Sequence, residues 1–229
     1  MSVSKKMIIS FGIFLAAIFL FGFAITSTVS VKTATPLGIT IVIDAGHGGL
    51  DGGSVGTATG VTERELNLVY AKKLTTLLEN FGFNVVNTRS TTDGLYEKVT
   101  EDYKLVDMKK RAEIINQSEA QILISIHMNK FSDSSENGAQ VFFEQDNDDS
   151  KNLADSIRDI LIANFDNARN LTLAGDYYIL NNTTPIGVIV ECGFLSNPKE
   201  EKLLQDETYQ NKMCYSIYCG IINYLGITN

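Results

Sequence analysis

From residue 38 to residue 225 the chain switches repeatedly between two hydrophobic periods. Compact apolar runs rich in Ile and Val, at 39–44, 83–88, 122–126, 139–143 and 187–191, read as strands. Between them apolar residues recur at helical spacing: Leu66, Val69/Tyr70, Leu74, Leu77/Leu78 and Phe81, with a stop at Gly82. The same spacing at Met108, Ala112 and Ile115 predicts a helix over 107–116, and two more follow over 153–165 and 209–225. Thr62-Glu-Arg-Glu65 matches a capping box ahead of the first helix. Residues 131–137 read as loop and the acidic stretch 146–149 as a solvated turn. Strands alternating with helices through short connections predict an α/β fold: one domain, with a mixed, mostly parallel sheet flanked by helices on both faces. About five or six strands and four or five helices are expected.

The N-terminus stands apart from this pattern. Met7 to Ile25 carries no charge and follows Lys5-Lys6, and as a helix of about 1.5 Å per residue it nearly matches a hydrocarbon core of ~30 Å. It reads as an export or anchoring segment with a cytoplasmic N-terminus and everything after residue 30 outside. Its length, and the lack of a clean A-x-A site, favour an uncleaved anchor. The expected organisation is therefore a signal or anchor segment over 1–25, a Ser/Thr-rich linker over 26–36 and one catalytic domain over 37–229.

Composition changes the picture in two respects. A net charge of −8 argues against nucleic acid as a partner, because polyanions are held chiefly by Lys and Arg. An acidic protein acting on an acidic polymer needs local basic residues. The three cysteines, Cys192, Cys214 and Cys219, form an odd set best read as buried small hydrophobes. A catalytic thiol at Cys192 is the sharper alternative, but it falls inside a strand run without a nucleophile-elbow turn.

The candidate chemistry lies at strand ends. The chain has two histidines, and each follows a strand run: His47 in a glycine-dense loop after 39–44, and His127 after 122–126. Open α/β sheets carry out their chemistry just beyond the carboxyl ends of strands. A hydrolytic zinc site takes three nitrogen or carboxylate ligands and keeps a fourth position open. His47 and His127 would supply two. The third should lie on the element after the His47 loop, where Glu63 and Glu65 compete; residues two apart on a helix point to different faces, and a Glu65 engaged in the capping box leaves Glu63. Glu191, at the end of the 187–191 run, is the candidate acid/base that takes a proton from water and delivers it to a leaving amine. Gly46-His-Gly-Gly also reads as a phosphate loop, but no Lys-Ser/Thr follows and the helix starts too late.

These residues sit in motifs that resemble the zinc-dependent N-acetylmuramoyl-L-alanine amidases of the amidase-3 family, which are bacterial cell-wall hydrolases. The matching stretches are Ile43-Asp-Ala-Gly-His-Gly-Gly with Asp51-Gly-Gly, Thr62-Glu-Arg-Glu-Leu-Asn-Leu68, Thr88-Arg89, Ser125-Ile-His-Met-Asn129, Gly138-Ala-Gln-Val-Phe142 and Val190-Glu-Cys-Gly-Phe-Leu-Ser-Asn-Pro198. They occur in the family's order. The resemblance implies one Zn2+ ion on His47, Glu63 and His127, Glu191 as catalytic acid/base, and peptidoglycan as substrate, cleaved between N-acetylmuramic acid and L-alanine. Arg89 and Arg111 fall at family-like positions, where pairing with substrate carboxylates competes with structural ion pairs. Asn129 is a weaker substrate-binding candidate, better read as loop support.

The overall layout looks like the sporulation and germination branch of the family, in which stripped muramic acid goes on to muramic-δ-lactam in spore cortex. That resemblance implies a monomeric catalytic domain, anchored in the membrane or secreted to the wall or the intermembrane space of a forespore. Residues 130–150 are too few and too polar for the inhibitory helix of some division-associated relatives, so control falls to expression timing or an accessory protein. Two other readings compete: a non-catalytic membrane-tethered wall-binding protein, and a zinc peptidase cutting within stem peptides.

Overall fold

The computed structural model describes residues 38–227; the N-terminal segment read above lies outside them. Six strands form one sheet: β1 (Thr40–Ala45), β2 (Asn84–Asn87), β3 (Ile122–Asn129), β4 (Gln140–Glu144), β5 (Leu173–Gly175) and β6 (Ile186–Phe194), in the order β2-β1-β3-β6-β4-β5. The first four in that order are mutually parallel, and β4 turns antiparallel against β6 and carries β5 parallel to itself. The described helices are α1 (Glu63–Phe81), α2 (Tyr103–Gln117), α3 (Asp148–Asn164), α4 (Tyr178–Asn181), α5 (Pro198–Gln205) and α6 (Glu207–Tyr224). The predicted single α/β domain with a mixed sheet and helices on both faces is the observed architecture.

Alternation along the strands divides the core in two. Ile41, Ile43 and Ala45 of β1, Ile122, Ile124, Ile126 and Met128 of β3, and Val188 and Val190 of β6 meet the apolar stripes of α1, α3 and α6. The alternate residues Val42, Leu123 and Ile189 face the other way, onto Ile115 of α2 and Ile179 and Leu180 of α4. α1 buries Leu66, Tyr70, Leu74 and Leu78 and ends at Gly82, whose φ of 112° is the left-handed conformation that closes a helix. Val69, expected on that stripe, is exposed.

Of the stretches the sequence assigns, two differ for identifiable reasons. α2 begins at Tyr103, four residues early, and among its buried positions are Asp107 and Arg111; the core-facing side of this helix is partly ionic, so the apolar period understates it. Asp148 and Asp149 form the first turn of α3 behind an Asn147 cap that accepts from the Ser150 N–H, so the acidic stretch starts a helix instead of making a free turn.

Candidate metal centre and active site

The second face of the sheet turns polar as it approaches the carboxyl edge. Asp44 of β1 lies beside Ser125 of β3, and one pleat further on His127 of β3 lies directly opposite Glu191 of β6. Past the end of β1 the chain forms the loop that carries His47 at φ 62°, a left-handed conformation unusual for a side-chain-bearing residue. Three consecutive carbonyls hold that turn in place. Arg111 donates to the Ala45 and His47 carbonyls, and Arg89 to those of Ala45 and Gly46. Gly46 must be glycine here, because a Cβ would penetrate the His127 ring.

α1 then brings its first residue back to this edge. Glu65 is turned to the helix start, its Oε2 accepting from the Thr62 N–H at 3.1 Å and the Thr62 hydroxyl at 2.7 Å. Glu63 points the other way, into the site, with its side chain only 4% exposed. Its Oε2 accepts from the Ser54 N–H at 2.8 Å, and its Oε1 lies 2.9 Å from His127 Nδ1 and 3.1 Å from His47 Nε2. The two imidazole rings meet edge to face with centroids 5.0 Å apart. One donor atom from each of His47, Glu63 and His127 falls within 4.8 Å of the others, an arrangement that can hold a metal ion.

Electrostatics agree with this geometry. Burial works against a charged His47, but hydrogen bonds to Asp51 and Glu63 outweigh it and lift its pKa to about 9. Burial likewise opposes a charged Glu63, and the two histidines overcome it and hold the carboxylate far below its usual range. A pocket that draws protons onto imidazoles around a buried carboxylate is one that attracts positive charge. Glu191 behaves in the opposite way. Burial dominates, the His127 charge offsets part of it, and its pKa rises to about 7. Its Oε2 is buried without a hydrogen-bond partner.

Of the sequence candidates, His47, Glu63, His127 and Glu191 are brought together. Arg89 and Arg111 are placed beneath the loop with internal partners. Arg111 pairs with Asp44 and Asp107 at 2.6 Å each, and Arg89 donates to four backbone carbonyls, those of Ala45, Gly46, Arg64 and Thr91. Asn129 accepts from the next backbone N–H at 2.7 Å. Sequence reasoning placed Asp51 in a matching stretch but gave it no role; its Oδ2 holds His47 Nδ1 at 2.8 Å and so turns Nε2 toward Glu63. The available signal was its position four residues past the histidine across a glycine turn. Nor did it find Lys104, which pairs with Asp51 Oδ1 at 2.9 Å.

The family model for N-acetylmuramoyl-L-alanine amidases (Amidase_3) matches residues 41–223, which span all of these side chains. The chain belongs to that family. This amidase is 36% identical over 217 residues to the germination-specific N-acetylmuramoyl-L-alanine amidase of Bacillus subtilis, covering 92% of this chain and 91% of that protein. Among solved structures, the CwlD amidase of Clostridioides difficile, in complex with the GerS lipoprotein, superposes with a TM-score of 0.79 at 40% identity, over 83% of this chain and all of that one. The catalytic domain of CwlV from Bacillus (Paenibacillus) polymyxa gives 0.73 at 30% identity, over 83% of this chain and 99% of the other. The amidase acts on peptidoglycan, hydrolysing the amide between N-acetylmuramic acid and L-alanine. Among the described residues no helix is long and apolar enough to cross a membrane.

Proposed function

We propose that this amidase works with one zinc ion held by His47, Glu63 and His127, with Glu191 as the proton carrier, on the peptidoglycan of developing spores. The observation that carries the reading is the position of Glu63 Oε1 between both imidazoles, with the unpartnered Glu191 Oε2 on the strand beside His127. The donor set fits zinc. Bonds of ~2.0–2.1 Å in a tetrahedral site put ligands roughly 3.3 Å apart, and the carboxylate oxygen stands 2.9 and 3.1 Å from the two ring nitrogens.

Bound zinc supplies Lewis acidity, polarising the scissile carbonyl and lowering the pKa of water. The chain supplies the rest. Asp51 fixes the His47 ring, and Glu63 is held by the Ser54 and Met128 backbone N–H groups so that its Oε1 faces both histidines. Glu191 Oε2 takes the proton from the attacking water as its oxygen bonds to the lactyl carbonyl carbon. The C–N bond then breaks, and the same oxygen returns the proton to the departing alanine amine. A carboxyl near neutrality suits both halves of that transfer.

The spore setting rests on the likeness to the germination-specific amidase of Bacillus subtilis. Residues 1–25 are read as the exporting or anchoring segment from their apolar length, with 37–229 as a monomeric catalytic domain. An accessory protein partner is suggested by the lipoprotein complex of the Clostridioides amidase. Digestion of purified sacculi tests the central claim. The wild type is expected to release peptides beginning with L-alanine and to free the muramic carboxyl, as read by mass spectrometry. Glu191→Ala should abolish release by about 10²–10⁴-fold while retaining the fold and stoichiometric zinc. Cleavage within the stem peptide, or full activity in Glu191→Ala, would sink the reading.

A further inference from the structure

The cleft beside the metal centre has a volume of about 150 Å³ and runs from His47, His127 and Glu191 down the second face of the sheet. Its far wall is largely apolar, with Ile179, Ile189 and Tyr177, the last packed edge to face on Phe142 with centroids 5.4 Å apart. Three carboxylates, Asp44, Asp51 and Asp107, also line the cleft in a chain whose net charge is −8, the first and last of them paired with Arg111. An anionic ligand entering it needs a cation not already spent on them.

The substrate is such a ligand. Muramic acid's own carboxyl is consumed in the scissile amide, so the substrate's negative charge near the cut lies on the stem peptide. Two basic side chains, Arg111 and Lys104, line the cleft besides the histidines. The side chain of Arg111 is 1% exposed, and its guanidinium is spent on Asp44, Asp107 and the Ala45 and His47 carbonyls. Lys104 differs. It stands on the first turn of α2 at the cleft mouth, 62% exposed, and its single partner among the described residues, Asp51 at 2.9 Å, occupies one of three ammonium donors. The start of a 15-residue helix adds its own partial positive charge at the same place.

Reach is consistent. Lys104 Nζ is joined to the His47 ring through the Asp51 carboxylate alone, by contacts of 2.9 and 2.8 Å. An extended peptide advances at most ~3.3–3.6 Å per residue, so a carboxylate on the second residue past the cut lies roughly 7 Å along the chain.

Resting on the amidase reading above, we propose that Lys104 is a specificity-determining residue that receives the first free carboxylate of the stem peptide, on the residue after L-alanine. Asp51 keeps the ammonium aimed at the cleft, and the carboxylate takes the donors Asp51 leaves open. The bland alternative is that Lys104 only steadies Asp51 and, through it, His47.

Kinetics on two sets of soluble glycan-peptide fragments, with the α-carboxyl of the second peptide residue free or amidated, separate the two. Lys104→Ala is expected to raise KM about tenfold on free-carboxylate fragments and at least fivefold less on amidated ones, as for loss of one charge-assisted hydrogen bond. Lys104→Arg should recover most of the loss. Zinc affinity, measured by chelator competition, should match the wild type in both variants. Equal losses on both fragment sets, or a fall in kcat together with zinc affinity at unchanged KM, would overturn the assignment in favour of the steadying role. A wild type that cleaves neither fragment set would overturn the amidase reading, and this assignment with it.

Discussion

Asp44 has no place in the reaction, yet the site depends on it. Its Oδ1 accepts from the Thr88 hydroxyl and Arg111 Nη1, each at 2.6 Å, and its Oδ2 from the Ser125 hydroxyl at 2.7 Å. Burial by itself would raise its pKa; the Arg111 charge leads the effects that overcome this and bring it down to about 2. The unfolded chain returns the group to near 3.8–3.9, so the folded state holds its proton more weakly. The resulting stability, on the order of 2 kcal/mol, is fully present above about pH 4 and is lost as pH falls through about 2. Urea melts should therefore show wild type more stable than Asp44→Asn at pH 6, with the gap closing between pH 4 and pH 2. A gap that stays constant with pH would remove the charge from the explanation.

At the scale of elements, the site is a loop and a helix start folded back over strand ends, and its tolerances are steric. The Gly46 backbone passes flush against the His127 imidazole, with its N–H on the Ile126 carbonyl at 3.1 Å. Gly46→Ala is expected to push the ring off Glu63 and weaken zinc binding by about 10–100-fold, a loss typical of disturbed ligand support, while costing only about 1–3 kcal/mol of stability. Chelator competition and thermal melts measured on the same sample test this; unchanged zinc affinity would show that the ring has room to move. The long elements around this site were legible because α1 and the strands keep clean apolar periods and both histidines close strand runs. Three short elements were not. β5 is the tripeptide Leu173–Gly175 and α4 the tetrapeptide Tyr178–Asn181, both too short to repeat the pattern that would announce them. α5 did have signals in its Asn197 cap and its leading Pro198, but half of its residues are charged. Asp51 and Lys104 were hidden for another reason: their roles arise only when the glycine loop and the start of α2 converge in space.

For the molecule as a whole, the metal centre is also a clasp. His47 comes from the loop after β1, Glu63 from α1 and His127 from β3, so an ion shared by all three ties together segments 80 residues apart in sequence. An ion that binds the folded chain alone adds stability with its concentration, about 4 kcal/mol at a thousandfold excess over Kd. Chelation should therefore lower Tm by roughly 8–16 °C, given ~2–4 °C per kcal/mol for a domain of this size. His47→Ala should melt at one temperature with or without chelator. A wild-type Tm indifferent to chelator would mean that the three side chains are organised without help from a cation.

The two layers over the sheet are unequal. One is a continuous core under α1, α3 and α6; the other rests on six buried apolar side chains shared among the sheet, α2 and the single turn of α4. The lighter layer also carries Arg111, which holds the His47 loop, and Tyr177, Ile179 and Ile189, which line the cleft. The thinner half of the core is thus the one that frames the catalytic edge, so a substitution there bears on folding and on the site together.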